Sequence, residues 1–178
     1  LGTGNYHPRT ARLYTDFGLL TARTDLTADV AKLFNYLTGF AQMRSHRALA
    51  VAPIDLRKRI VDEIEWVAAS HAEGEAGRIV MKLNSLVDRP VIEALYRASG
   101  AGVDIDLIVR GACSLQPGLP GVSERIRVRS IIGEFLEHSR IYWFANGDEP
   151  SAWIGSADLM HRNLDRRVEV LVKLPSEQ

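Results

Sequence analysis

The chain has 178 residues, is 46% hydrophobic, carries 22 basic against 22 acidic side chains and contains one cysteine, Cys113. This composition excludes a disordered segment, a disulfide scaffold and a cysteine-based zinc site, and at this length roughly 70% of the unfolded surface can be buried without covalent staples. No apolar run is long enough for a membrane span and no signal-peptide pattern opens the chain, so a cytoplasmic protein is expected.

The first predicted element is a helix over residues 27–38, with Thr27 as its N-cap and Val30, Leu33, Phe34 and Leu37 at helical spacing before Gly39. Residues 41–52 show no sustained period. Ile54, Ile60, Val61, Ile64 and Val67 then predict a longer helix over 53–72, closed by Gly74. A strand over 78–83, a helix over 90–99 stopped by Gly100 and Gly102, and a strand over 104–110 form a βαβ unit, which predicts a parallel pair. Segment 112–122, rich in Pro and Gly, is a loop at a carboxyl strand end, where open α/β sheets bind ligands. Further short strands are predicted at 128–132, 140–144, 152–155 and 168–172.

Two distant segments repeat one pattern. Gly2-Thr3-Gly4-Asn5 matches Gly155-Ser156-Ala157-Asp158, Arg9 and Arg162 follow at the same offset, and so do Asp16 and Glu169. Ahead of the second copy stands His138-Ser139-Arg140, whose strand period puts the imidazole and the guanidinium on one face about 7 Å apart, able to address one phosphate. The order His-x-basic, hairpin, Gly-Ser-x-Asp resembles one half-site of the phospholipase D superfamily, in which two halves share a cleft. By that resemblance the first copy lacks its upstream histidine, and the chain, opening without an initiator Met, reads as part of a longer protein.

The resemblance narrows along the chain. Gly2 to Tyr6 running into Thr10 to Leu19, Lys82 to Asp88, Leu107 to Gly111, Ile126 to Ile131, Leu136 to Tyr142, and Gly155 to Asp158 through Arg162 to Val170 are similar to polyphosphate kinase. His7, Leu159 and His161 depart from the family pattern, at positions with no assigned chemistry. The resemblance implies an α/β fold: a phospholipase D-like α-β-α layered domain with a mixed, largely parallel sheet, truncated at both ends. Residues 1–45 would be the end of the first half and 46–178 the second half.

It also implies reversible transfer of the terminal phosphate of ATP to inorganic polyphosphate through a phosphohistidine outside this chain, with Mg2+ accompanying ATP and its ligands elsewhere. His138 corresponds to the second histidine of the family, a general acid or base, for which imidazole suits because its pKa lies near neutrality. Arg110 is placed to grip nucleotide phosphates, with a surface ion pair as the plain alternative, and Tyr14 matches a nucleotide-contacting tyrosine. Arg140 would share the phosphate with His138. Asp16 and Glu169 would orient a histidine or serve as caps or salt-bridge partners, and Asn5 and Asp158 would support the cleft. Arg127 and Arg129 line either a polyphosphate tunnel or a solvated strand face. None of the five histidines shows metal-ligand spacing, so no metal ligand is assigned.

The expected partners are ATP or ADP and polyphosphate, with no nucleic acid. The intact enzyme would be a homo-oligomer in the cytoplasm, or peripheral to the inner membrane face, and this chain alone would be inactive. The rival readings are a phospholipase D-type phosphodiesterase and a non-catalytic polyphosphate-binding piece.

Overall fold

A computed structural model describes residues 1–4, 6–40, 42, 46–145, 147 and 150–175. The chain opens with a short 3-10 turn (Thr10–Arg12), strand β1 (Tyr14–Thr15) and helix α1 (Thr24–Leu37). Then come β2 (Leu49–Ala52), α2 (Leu56–Ala72), β3 (Arg78–Leu83), α3 (Arg89–Gly100), β4 (Asp104–Val109) and β5 (Ile126–Arg129). The last third holds β6 (Leu136–Glu137), β7 (Arg140–Ala145), β8 (Ser151–Gly155), α4 (His161–Arg166) and β9 (Glu169–Lys173).

Seven strands form one mixed sheet in the order β2-β9-β8-β7-β3-β4-β5, and β1 pairs separately with β6 in parallel. The βαβ unit is present: β3 and β4 are parallel across α3, and β5 extends the parallel set. The other four pairings of this sheet are antiparallel, so the sheet is mixed as expected but not largely parallel. A parallel neighbour requires a long crossover. Five residues separate β7 from β8, too few for a crossover, so that pair can return only antiparallel; β8 and β9, joined through the six-residue α4, are antiparallel too.

Helices α2 and α3 cover one face of the sheet. Ile60, Ile64 and Val67 of α2 and Val91 and Leu95 of α3 meet Ile79, Met81, Leu107, Tyr142, Phe144 and Trp153 in one buried cluster. Helix α1 covers only the β2-β9-β8 end of the opposite face, where Leu26 and Leu33 pack on Leu49, Val51, Ile154 and Val172. Helix α1 begins three residues before its expected start, and Phe34 and Leu37, assigned to its apolar face, are exposed. Strand β2 was not predicted because it is buried on both faces. Its run Leu-Ala-Val-Ala has no polar alternation to mark a strand.

The helices are pinned where they approach the site. Asp88 caps α3 by accepting from Val91 N at 3.4 Å, and Arg57 of α2 bonds both Asp88 and Asp165 of α4. Among the described residues no helix is long and apolar enough to cross a membrane.

Candidate active site

Strand β7 starts at Arg140, and the residues just before it lie along β1. His138 N and Ser139 N both donate to the Thr15 carbonyl, at 3.1 and 3.0 Å. That register turns the His138 ring toward Asp16, whose two carboxylate oxygens stand 3.0 and 3.1 Å from Nδ1. A neutral ring that donates to Asp16 carries its proton on Nδ1 and leaves Nε2 as the unprotonated nitrogen; Arg140 Nη1 stands 3.0 Å from Nε2 and 3.2 Å from Nδ1. The Tyr14 ring packs on the imidazole with centroids 4.8 Å apart.

Arg140 is the hub. Its Nη1 donates to the Thr3 carbonyl at 2.9 Å and to the His138 carbonyl at 3.0 Å, and its Nη2 donates to Asp158 at 3.0 Å. Both side chains of this ion pair are about nine-tenths buried, at 8% and 7% exposure. Asp158 is further satisfied by Asn84 N at 2.7 Å and Ser85 N at 3.3 Å. Asn84 extends the network, because its side-chain oxygen accepts from Arg110 Nε at 2.8 Å. One chain of contacts thus runs from Arg110 through Asn84, Asp158 and Arg140 to His138 and Asp16.

Burial is the main reason that the His138 imidazole titrates below its ordinary value, and the Arg140 charge adds to it; Asp16 opposes both. At neutral pH the ring is uncharged, the form that accepts a proton. Tyr142, fully buried beneath the site, is held well above the ordinary phenol value by desolvation, and its hydroxyl donates to the Ala157 carbonyl at 2.6 Å.

The repeated pattern in the sequence is a repeated structure. Thr3 N donates to Phe17 O, Phe17 N donates to the Thr3 hydroxyl at 2.9 Å, and that hydroxyl donates to Asp16 at 2.7 Å. Ser156 N likewise donates to Val170 O, Val170 N donates to the Ser156 hydroxyl at 3.4 Å, and that hydroxyl donates to Glu169. A Cβ on Gly4 would lie 2.0 Å from Asp16 Oδ2, so glycine there leaves room for the carboxylate that faces His138. The two loops meet at Arg140, which bonds Thr3 from one and Asp158 from the other.

The candidate residues divide accordingly. His138, Arg140, Asp16, Asp158 and Tyr14 come together, with Arg110 joined through Asn84. Glu169 does not reach His138; besides Ser156 it accepts from Asn163 Nδ2 at 2.7 Å. Asn5 lies outside the described residues. Arg127 and Arg129 share the Asp106 carboxylate with Arg78, at 2.8 to 3.2 Å, and the hydrogen bonds and charges of Arg127 and then Arg78 hold it well below the usual carboxylate range against the effect of burial. Thr3 and Asn84 were given no role from the sequence. The position of Asn84, just past the carboxyl end of β3 beside Arg110, is the signal that would have found it.

Tyr14 and Arg110 line one cavity of about 450 Å³, with Ile131, Ile132, Phe135 and Glu137 among its other walls. For magnesium the fit is poor. Among the described residues no three His, Cys, Asp or Glu gather as a metal-binding group, and the nearest carboxylates are engaged, Asp16 by His138 and Thr3, Asp158 by Arg140. No step is assigned to that ion.

Residues 49–178 match the family description polyphosphate kinase C-terminal domain 2, and residues 1–45 match polyphosphate kinase C-terminal domain 1. The chain belongs to the polyphosphate kinase family. It is 54% identical to a polyphosphate kinase of Streptomyces coelicolor over 98% of this chain and 23% of that protein. With the polyphosphate kinase of Synechocystis sp. the identity is 57%, over 100% of this chain and 24% of the relative. The crystal structure of polyphosphate kinase from Porphyromonas gingivalis superposes with a TM-score of 0.94 at 43% identity, over 99% of this chain and 27% of that one. The chain thus spans about a quarter of the length of the polyphosphate kinases it matches.

Proposed function

We propose that this segment supplies one side of the catalytic cleft of an enzyme that moves the terminal phosphoryl group of ATP onto polyphosphate, reversibly, through a phosphohistidine. The observation that carries this reading is the His138 cluster: a neutral imidazole braced by Asp16, with the Arg140 guanidinium within 3.2 Å of both ring nitrogens and a tyrosine against its ring. Phosphoryl transfer asks a protein mainly for positioning and positive charge, with a group that moves a proton at the attacking or leaving oxygen. Arg140 and Arg110 supply charge, and His138 Nε2 is the proton-transfer atom.

The cavity beside Tyr14 and Arg110 would take the nucleotide, its apolar walls facing the nucleoside and Arg110 the phosphates. Residues 1–45 act as the end of one half of the catalytic unit and 46–178 as the other. Magnesium enters with ATP, and the intact enzyme is a cytoplasmic homo-oligomer. Among the described residues His138 is the one histidine in this cluster; the phosphorylated histidine comes from outside it, and the segment alone does not turn over ATP.

The test uses a full-length polyphosphate kinase carrying this segment, supplied with ATP labelled at the terminal phosphate. Wild type forms acid-insoluble labelled polymer, and His138→Ala lowers turnover by about two to four orders of magnitude. Unchanged turnover in that variant overturns the assignment.

A further inference from the structure

Lys82 occupies the next-to-last position of β3, antiparallel to Ile141 of β7. Its side chain is 13% exposed, and its ammonium stands 3.1 Å from the Glu137 carboxylate. The same ammonium donates to both oxygens of Ser139, the carbonyl at 3.3 Å and the hydroxyl at 2.5 Å. One cation therefore grips the residue before His138 and the residue after it. The opposite side of this short stretch is held by the Thr15 carbonyl, which accepts from His138 N and Ser139 N.

Glu137 also lines the cavity that holds Tyr14 and Arg110. An unpaired carboxylate in that wall repels a phosphate. Lys82, at ion-pair distance, cancels it.

We infer that Lys82 is a positioning residue for His138: it fixes the backbone of residues 137–139 so that the imidazole stays between Asp16 and Arg140, and it neutralises Glu137 beside the nucleotide. This rests on the reading of His138 as the proton-transfer group. Two consequences separate. The grip on Ser139 governs the chemical step, because a reacting group displaced by about 1 Å can cost about a hundredfold in rate. The pairing with Glu137 governs nucleotide affinity.

The experiment compares Lys82→Met, Lys82→Arg and the double variant Lys82→Met/Glu137→Gln in the full-length enzyme, together with an imidazole NMR titration of His138. Lys82→Met is expected to lower kcat by about 10- to 100-fold, to raise the KM for ATP and to shift the His138 titration midpoint. Lys82→Arg restores most of the turnover. In the double variant the KM returns while kcat stays low. Wild-type kcat in Lys82→Met overturns the inference, and so does normal kcat in the double variant, which would leave Lys82 only the cancelling of a charge. Should Lys82→Met fail to fold, Ser139→Ala removes one acceptor and keeps the ion pair; it must lower kcat in the same direction, and wild-type turnover in it also overturns the inference. An active His138→Ala refutes the functional reading itself, whereas an inactive His138→Ala beside a fully active Lys82→Met refutes only the role of Lys82.

Discussion

Asp16 and Arg140 pull the His138 imidazole in opposite directions: the carboxylate favours the protonated ring and the guanidinium the neutral one. Burial decides for the neutral ring. The sign follows for stability. Above the unfolded value of about 6.5 the neutral ring suits the fold; as pH falls below it the unfolded chain binds the proton first, and the contribution is lost as pH passes down through the folded value. Replacing Asp16 by Asn removes an influence that raises the His138 pKa and leaves those that lower it. The expected result is a titration midpoint lower than in wild type, read from the imidazole resonances, and an activity profile whose acid limb moves the same way. An unmoved midpoint would show that Asp16 does not act on the ring. His138, Arg140 and Asp158 were legible because they stand in short, ordered motifs. Asn84 was not, since a lone Asn at a strand end looks like any turn residue until Arg110 and Asp158 are found on either side of it.

Strand β8 meets β9 at an unusually close point. Gly155 pairs with Leu171, and a Cβ there would come within 1.9 Å of the Val170 carbonyl oxygen and 2.9 Å of the Leu171 Cα. Backbone atoms cannot rotate aside as a flexible side chain does. Gly155→Ala should destabilise the chain by about 1–3 kcal/mol, the usual scale of overpacking, seen as an earlier midpoint in urea unfolding. An unchanged midpoint would mean that the strands separate freely there. The same pairing shows what periodicity misses. Periodicity starts strand β9 one residue early because Val168, at the head of its apolar run, lies ahead of the strand and is half exposed. Helix α4 escaped notice because six residues give too few apolar positions to show a period.

At the scale of the whole chain, two segments remote in sequence build one site. Residues 1–16 contribute Thr3, Tyr14 and Asp16, and residues 82–158 contribute the remaining members of the His138 network. The fold class could be read from the βαβ unit and the family motifs. The sheet order could not, because it depends on β2 and β9 pairing at the far edge, and β2 carries no sequence period.

Among the described residues the link between α1 and β2 holds none of the site residues, and its return to the sheet is fixed by the buried Asp29, whose carboxylate accepts from Arg47 N at 2.7 Å and Ala48 N at 2.9 Å. The residues that build the site thus stand on the two sides of this connection. Lengthening a connection acts through closure entropy, and doubling a loop's length costs only about 0.6 kcal/mol. Glycine and serine residues inserted beside the exposed Gln42 should therefore shift the unfolding midpoint slightly and leave the Asp16 to His138 contact, followed by the imidazole titration, where it was. Loss of that contact would give the connection a structural role of its own. Natural selection is free to lengthen or shorten this connection while the two pieces it joins stay matched to each other.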